Sequence, residues 1–306
     1  MLEATLTKAK GAGAETHLRR LLKSWVRHLR GEKSDATIRA YTYAVAGLSD
    51  FLESAGMPTD PAWITSEHID AYLDFESERN SPETARLRRT YLSVFFNWLI
   101  EEDEAKVNAV KRSKLPAVTE KPNDELTEKA WAALLATVKG ASVWQRRDAA
   151  ILRVLSSSGL RRTEVASLTI GQVDLDGLII ERVKVKGNRL ESAPIDPDTA
   201  KAIDRYLRAR RDGWTENSAL WISRQGGGLS PEGIAEVVRR RGREAGLRVH
   251  PHMFRHRWAG RLKARGVSLE ELKMLGRWRD DRAVARYDRG NAKARAIAKY
   301  RDVWKD

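Results

Sequence analysis

Two short stretches of the sequence hold residues whose types and spacing suit work on an anion. In HPHMFRHRW, His252 and Arg255 are three positions apart. On a helix that sets both side chains on one face, within reach of a single phosphate, while His256 falls on a neighbouring face. In SSGLRRTEVASL a glycine bend precedes a helix whose first turn carries Arg161 and Arg162, with Glu164 following. Arginine at a helix N-terminus opposes the helix dipole, a small cost that a nearby anion removes. Alone, each stretch reads equally well as a solvated basic face, so the surrounding elements have to decide.

Those elements are mostly helical. Apolar residues recur at helical spacing through positions 18–100, with Leu21, Leu22, Trp25, Val26 and Leu29 as the first stripe. Ser34 reads as the N-cap of a helix through Tyr41, Val45, Leu48, Phe51 and Leu52 that stops near Gly56, ahead of Pro58 and Pro61. A third helix is predicted over 66–78. A fourth opens at Ser81 and Pro82, carries Arg86, Arg88 and Arg89 early, and ends in an apolar run from Leu92 to Leu99. The stretch KRSKLPAVTEKPN has two prolines and no apolar periodicity, which reads as a linker. The boundary is therefore placed near Val118, giving domains over 1–118 and 119–306. Beyond it, helices are predicted over 126–138 and 147–157. Alternation at Leu178, Ile180, Val183 and Val185 then predicts a strand that turns at Lys186, Gly187 and Asn188 and returns over 191–195, a β-hairpin with Lys186 at its bend. From Pro197 the chain reads helical apart from 220–222. The expected fold class is mostly α with a small β-sheet, an all-helical N-terminal domain followed by an α+β domain.

Charge narrows the partner. Of 306 residues, 56 are Lys or Arg against 42 Asp or Glu, a net charge of +14. The excess is clustered, as in Arg239, Arg240, Arg241 and Arg243, and a polyanion such as nucleic acid is the natural partner. The absence of cysteine excludes a disulfide framework and a thiolate zinc site. The N-terminus lacks the apolar core of a signal peptide, and no run approaches the ~20 apolar residues of a membrane span. A cytoplasmic, nucleoid-associated protein with no membrane partner is expected. No GxxxxGK[ST] phosphate loop occurs, which excludes an ATP-driven motor of that type.

Taken in order, GLRRTE, VKGNRLESAPI, HPHMFR, GRW and ARY resemble the tyrosine recombinase (phage integrase) family in residue type, order and spacing, in its short Xer-like form. The N-terminal helices also resemble that family's core-binding domain, and SPEGIAEVVRRRGREAGL resembles the helix that precedes its HxxR motif. The resemblance implies a catalytic domain with Arg161, Lys186, His252, Arg255 and Trp278 as catalytic residues and Tyr287 as nucleophile. Trp278 lies nine residues before Tyr287, the family's spacing, while Arg277 stands directly after Gly276 where many members carry histidine. The implied function is site-specific recombination of double-stranded DNA through a 3′-phosphotyrosyl intermediate, for integration, excision or resolution, with no cofactor, metal or ATP.

The chemistry asks for these residue types in any case. Phosphodiester cleavage needs a nucleophile, stabilisation of charge on the nonbridging oxygens and a proton for the departing oxygen. Arg161 and Arg255 supply planar forks that stay charged at any working pH. Trp278 can donate its indole N–H to a phosphate oxygen, and Lys186 can deliver a proton to the leaving 5′ oxygen. His252 either accepts the proton of Tyr287 or holds a phosphate oxygen. Glu164 orders the site by pairing with an arginine, or is simply an exposed capping carboxylate. Because the tyrosine ester keeps the energy of the broken bond, rejoining needs no ATP.

DNA contacts are expected from the helix after Ser34, through Thr37, Arg39 and Tyr41, from Arg86, Arg88 and Arg89 on the fourth helix, and from Arg239, Arg240, Arg241 and Arg243. Two rival readings stand beside this one. Asp174, Asp176, Asp280 and Asp281 suggest a metal-dependent nuclease or transposase, although VDLDG sits where a turn precedes a strand. The other is a non-catalytic DNA-binding protein of the same fold, and a topoisomerase that nicks one strand through tyrosine would share the chemistry, separated only by an assay for strand exchange between two sites. At the C-terminus, Ile297, Tyr300 and Trp304 recur at helical spacing, and the resemblance implies that this segment docks on a neighbour in a homotetramer holding two DNA sites. No separate arm-binding domain is expected before Leu18.

Overall fold

Helix starts in the first half of the chain follow the capping residues. In the computed structural model α1 (His17–Leu29) is capped by Thr16, α2 (Asp35–Ser54) by Ser34 and α4 (Pro82–Glu101) by Ser81. In each case the hydroxyl accepts from a backbone N–H of the first turn. Helix α3 (Ser66–Arg79) starts after Thr65. The structure describes residues 15–117, 126–185, 189–278, 280–281, 284, 297, 300–301 and 304. It divides into two compact units, Met1–Lys121 and Pro122–Asp306.

In the first unit Leu18, Leu22, Leu48, Leu52, Ile69, Leu92, Phe95, Phe96 and Leu99 are completely buried. Each such side chain contributes about 1.5–3 kcal/mol through burial. Trp25 joins them, its ring stacked on Tyr41 at 5.2 Å and 4.9 Å from Phe95. Tyr41, expected at the DNA, is half-buried and packs on the core through that stack. Arg88 also departs from expectation. Its buried guanidinium pairs with Glu76 at 2.9 Å and donates to the Tyr72 hydroxyl at 2.7 Å, so it points inward. Burial in turn pushes the Tyr72 hydroxyl above its ordinary pKa. Arg86 donates to the Pro116 carbonyl at 2.6 Å. Arg89 donates to Ser113 Oγ at 2.9 Å and the Val110 carbonyl at 2.9 Å. Both arginines fasten the segment leaving the unit onto α4, which occupies donors that the sequence assigned to phosphates.

The second unit contains α5 (Glu128–Ala136), α6 (Val143–Ser157), α7 (Arg162–Ala166), β1 (Val173–Asp174), β2 (Ile179–Val185), β3 (Arg189–Pro194), α8 (Pro197–Ala209), α9 (Pro231–Glu244), α10 (Pro251–Ala264) and α11 (Leu269–Gly276). Helix α6 begins four residues earlier than the predicted 147, because Ser142 caps it. It runs through the centre, with Ala150, Ile151, Leu152, Val154 and Leu155 at 0% exposure, packed against α8 and α10.

A buried carboxylate anchors α9 to this central helix. Asp148 is completely buried and accepts from Arg147 at 2.8 Å, Arg240 at 2.6 Å and Arg241 at 2.6 Å, while Arg241 also pairs with Glu244 at 2.7 Å. Arg241, predicted to touch DNA, is therefore a buried strut, and Arg240 is tied to the same carboxylate. Removing one member of such a network strands the other charges. We expect Asp148→Ala to lower unfolding stability by about 3–5 kcal/mol, measured by urea denaturation; a loss below about 1 kcal/mol, the range of an exposed pair, would show that the network is not structural.

The three strands form one antiparallel sheet in the order β1-β2-β3. The predicted alternation has a flaw that the structure explains: Ile180 and Val183 are separated by three positions, an odd step. The register shifts between them, and Arg182 takes φ 49°, so Ile180, Val183 and Val185 all face the core. Val185 pairs with Arg189, and the intervening Lys186 lies outside the described residues. In VDLDG, the Asp174 carboxylate accepts from the Asp176 and Gly177 N–H groups at 3.1 and 2.8 Å, closing the turn before β2. No helix among the described residues is long and apolar enough to cross a membrane.

Candidate active site

The bend at Gly159 brings Arg161 to the site. Gly159 has φ +62°, and a β-carbon there would sit 2.6 Å from the Trp258 ring, so both conformation and space require glycine. Arg161 is the N-cap residue of α7, one position earlier than the predicted first turn. Glu164 pairs with an arginine, and it is a buried carboxylate where the alternative was an exposed capping one. One carboxylate oxygen accepts from the Arg161 backbone N–H at 2.8 Å and the other from its guanidinium at 2.8 Å. Glu164 is buried, while the Arg161 side chain is 40% exposed, so the carboxylate holds one edge of the guanidinium while the side chain stays open to solvent. Arg162 pairs instead with Glu232, at 3.0 Å.

Arg255 reaches the same place from α10. It is 2% exposed and donates to the carbonyls of Gly159 and Gly276, joining the Arg161 loop to the end of α11. Its guanidinium lies 4.2 Å from the centre of the Trp278 ring, and that ring packs on Trp258 at 6.0 Å. Arg161, Glu164, Arg255 and Trp278 are thus assembled from α7, α10 and the residues after α11. His252 is exposed on α10, its ring edge-on to His256 at 4.4 Å. Tyr287, like Lys186, lies outside the described residues.

Sequence reasoning left Arg277 without a role. It caps α11 at φ 56°, ψ 38°, and is 5% exposed. A concavity of about 420 Å³ opens beside it, lined also by Arg189, Glu191, Lys273 and Trp278. An arginine between glycine and tryptophan carries no sequence signal of burial; only the left-handed turn at the helix end, a position that favours Gly or Asn, marks it as unusual.

Among the residues expected at DNA, Arg39 is exposed and Thr37 half-buried beside Ser34. Arg239 and Arg243 reach solvent but pair along α9 with Glu232 at 2.6 Å and Glu236 at 2.8 Å. Hydrogen bonds from these arginines hold both carboxyls below the usual pKa. Among the described residues no group of three or more His, Asp or Glu is placed to hold a metal ion, and Asp281 pairs with Lys273.

Comparison with known proteins bears on the whole arrangement. Residues 124–294 match the model of the phage integrase family, and residues 21–105 match that of the phage integrase N-terminal SAM-like domain. Tyrosine recombinase XerC of Actinobacillus pleuropneumoniae serotype 7 (strain AP76) is 29% identical over 261 residues, covering 81% of this chain and 82% of the relative. Tyrosine recombinase XerD of Bifidobacterium longum (strain NCC 2705) is 26% identical over 272 residues, 84% of this chain and 88% of the relative. Among solved structures, the Tn1549 transposon integrase in complex with circular intermediate DNA superposes with a TM-score of 0.71 at 19% identity, covering 89% of this chain and 95% of the other. A lambda integrase dimer bound to a COC′ core site gives 0.69 at 18% identity, over 89% and 95%. At those identities the structures establish the fold.

Proposed function

We propose, for a chain that belongs to the phage integrase family, that site-specific recombination proceeds by attack of Tyr287 on a DNA phosphate. The protein is a tyrosine recombinase with DNA as its partner. The Tyr287 oxygen forms a bond to phosphorus, the bond from phosphorus to the 5′ oxygen breaks, and the departing oxygen leaves as a hydroxyl with a proton from Lys186. Attack by the 5′ hydroxyl of another strand reverses these steps and frees the tyrosine, with no net change in the number of phosphodiesters. Arg161 and Arg255 offset charge on the nonbridging oxygens, Trp278 donates its indole N–H to one of them, and His252 takes the tyrosine proton or holds an oxygen.

The observation that carries this reading is the convergence of Arg161, Arg255 and Trp278 from three separate elements, with Glu164 fixing the first of them. The test uses duplexes nicked next to each candidate phosphate, so that the short cleaved strand diffuses away and the covalent complex accumulates. Attachment is expected to persist in EDTA. Cleavage that stops in EDTA, returns with magnesium and leaves no protein on the DNA would favour the metal-dependent nuclease.

The tail bears on assembly. Ile297, Tyr300 and Trp304 are 42%, 67% and 72% exposed, an apolar set that calls for a covering surface. Docking of this tail on a neighbouring subunit would link the active sites of a homotetramer holding two DNA sites. Deleting residues 292–306 is then expected to spare binding to a single site and to weaken pairing of two sites by about tenfold or more in gel-shift titrations. Full tetramer formation by the truncated chain would refute the exchange.

A further inference from the structure

We propose that Arg277 is a positioning residue that braces the phosphate site so that Arg255 can turn its fork onto the DNA. The inference rests on the recombinase reading above. Two backbone segments meet at the site, the Ser158–Gly159 bend that leads to Arg161 and the Leu275–Gly276 end of α11 that leads to Trp278. Arg255 crosses between them, donating to the Gly159 and Gly276 carbonyls. Arg277 makes a second crossing one residue earlier on each side, with Nη2 to the Ser158 carbonyl at 3.2 Å and Nη1 to the Leu275 carbonyl at 2.8 Å. The same Nη1 lies 3.4 Å from the Ser192 carbonyl of β3.

This duplication has a consequence for catalysis. Arg255 commits an N–H of each Nη to a carbonyl, and the same guanidinium has to present donors to nonbridging oxygens. If Arg255 were the sole brace, engaging the phosphate would loosen the bend carrying Arg161 at the moment both arginines are needed. Arg277 keeps the two segments joined while Arg255 swings.

The placement of Arg277 is costly enough to need such a reason. Its backbone lies in the left-handed region, at φ 56°, where a helix end is usually closed by glycine or asparagine. Its side chain is 5% exposed, none of the described carboxylates pairs with it directly, and its Nε has no hydrogen-bond partner among the described residues. Burial pulls the guanidinium below its ordinary pKa, with Glu164 acting in the opposite direction.

The test compares cleavage of an ordinary phosphate with cleavage of a methylphosphonate at the same position, where a methyl group replaces one nonbridging oxygen and the linkage is neutral. A neutral linkage asks less of the arginine clamp. Arg277→Met at saturating protein is expected to slow attachment to the phosphate linkage by about tenfold to a hundredfold, as misplacement of a clamp does. On the methylphosphonate the loss is expected to shrink to about threefold or less. In an Arg255→Ala background, Arg277→Met should slow cleavage by less than it does alone, the remaining loss being that of the Arg161 bend, since the Arg255 fork is gone. Arg277→Lys keeps the buried charge, with its donors on a single nitrogen that cannot span both carbonyls; should the methionine variant fail to fold, it carries the test with a smaller loss and the same dependence on the linkage. Equal losses on both linkages, full additivity with Arg255→Ala, or no loss would overturn the role. Wild-type protein that attaches to neither linkage would overturn the recombinase reading together with it.

Discussion

Tyr287→Phe is expected to abolish covalent attachment to DNA while leaving DNA binding intact. Only the phenolic oxygen is removed, and the aromatic ring is kept. No other residue of the set can replace it. Arg161, Arg255 and Trp278 act through N–H donors and carry no oxygen nucleophile, so the residual rate is that of a bound phosphodiester exposed to water. Loss of a nucleophile from an assembled site costs on the order of 10⁴-fold or more. The measurement is denaturing electrophoresis of protein incubated with a labelled nicked duplex, beside a gel-shift titration. A covalent band that persists in the variant would move the nucleophile elsewhere, and Tyr300, 67% exposed, is the next tyrosine to test.

Arg255→Ala should have the second largest effect. Its loss removes a charged fork from the phosphate, worth about 10²–10³-fold in rate for one well-aimed donor. It also removes the crossing between the Gly159 and Gly276 carbonyls. The expected result is a single-turnover cleavage rate down by about a thousandfold, with a lower melting temperature. Arg255→Lys separates the two contributions: the charge stays, but one ammonium cannot span both carbonyls or present a planar two-pronged fork to the phosphate, so the rate should fall by about a hundredfold. Cleavage by Arg255→Ala within about tenfold of wild type would exclude this arginine from the clamp.

The helices of the first unit were legible because their signals are local. Ser34 and Ser81 cap the helices they were expected to cap, and Leu48, Leu52, Leu92 and Phe96 fall on the buried faces that their spacing predicts. The hairpin was legible for the same reason, although the odd step from Ile180 to Val183 announced a bulge that alternation alone could not place. The arginines were harder to read. Arg39, Arg88 and Arg241 look alike in a sequence, yet the first is exposed and the others end on Glu76 and Asp148. Their partners lie on other helices, and helical periodicity contains no information about which distant carboxylate a long side chain will meet. Tyr41 follows the same logic, since a tyrosine on an amphipathic helix suits DNA or a tryptophan equally, and its stack on Trp25 appears only in the folded chain.

At the candidate site the motif residues were read from their order along the chain, and the structure adds how they support one another. Glu164 holds Arg161 by backbone and side chain at once, a double role that the i,i+3 spacing permits but does not require. Arg277 was opaque because its burial depends on the left-handed turn after Gly276 and on the Ser158 bend, which are adjacent only in the folded chain.

The most direct measurement locates the DNA on the protein. A trapped covalent complex, digested with nuclease and protease and examined by mass spectrometry, should show a nucleotide joined through its 3′ phosphate to the peptide containing Tyr287, with a free 5′ hydroxyl on the released strand. An adduct on another residue, a 5′ linkage, or cleaved DNA with no attached protein would contradict the mechanism.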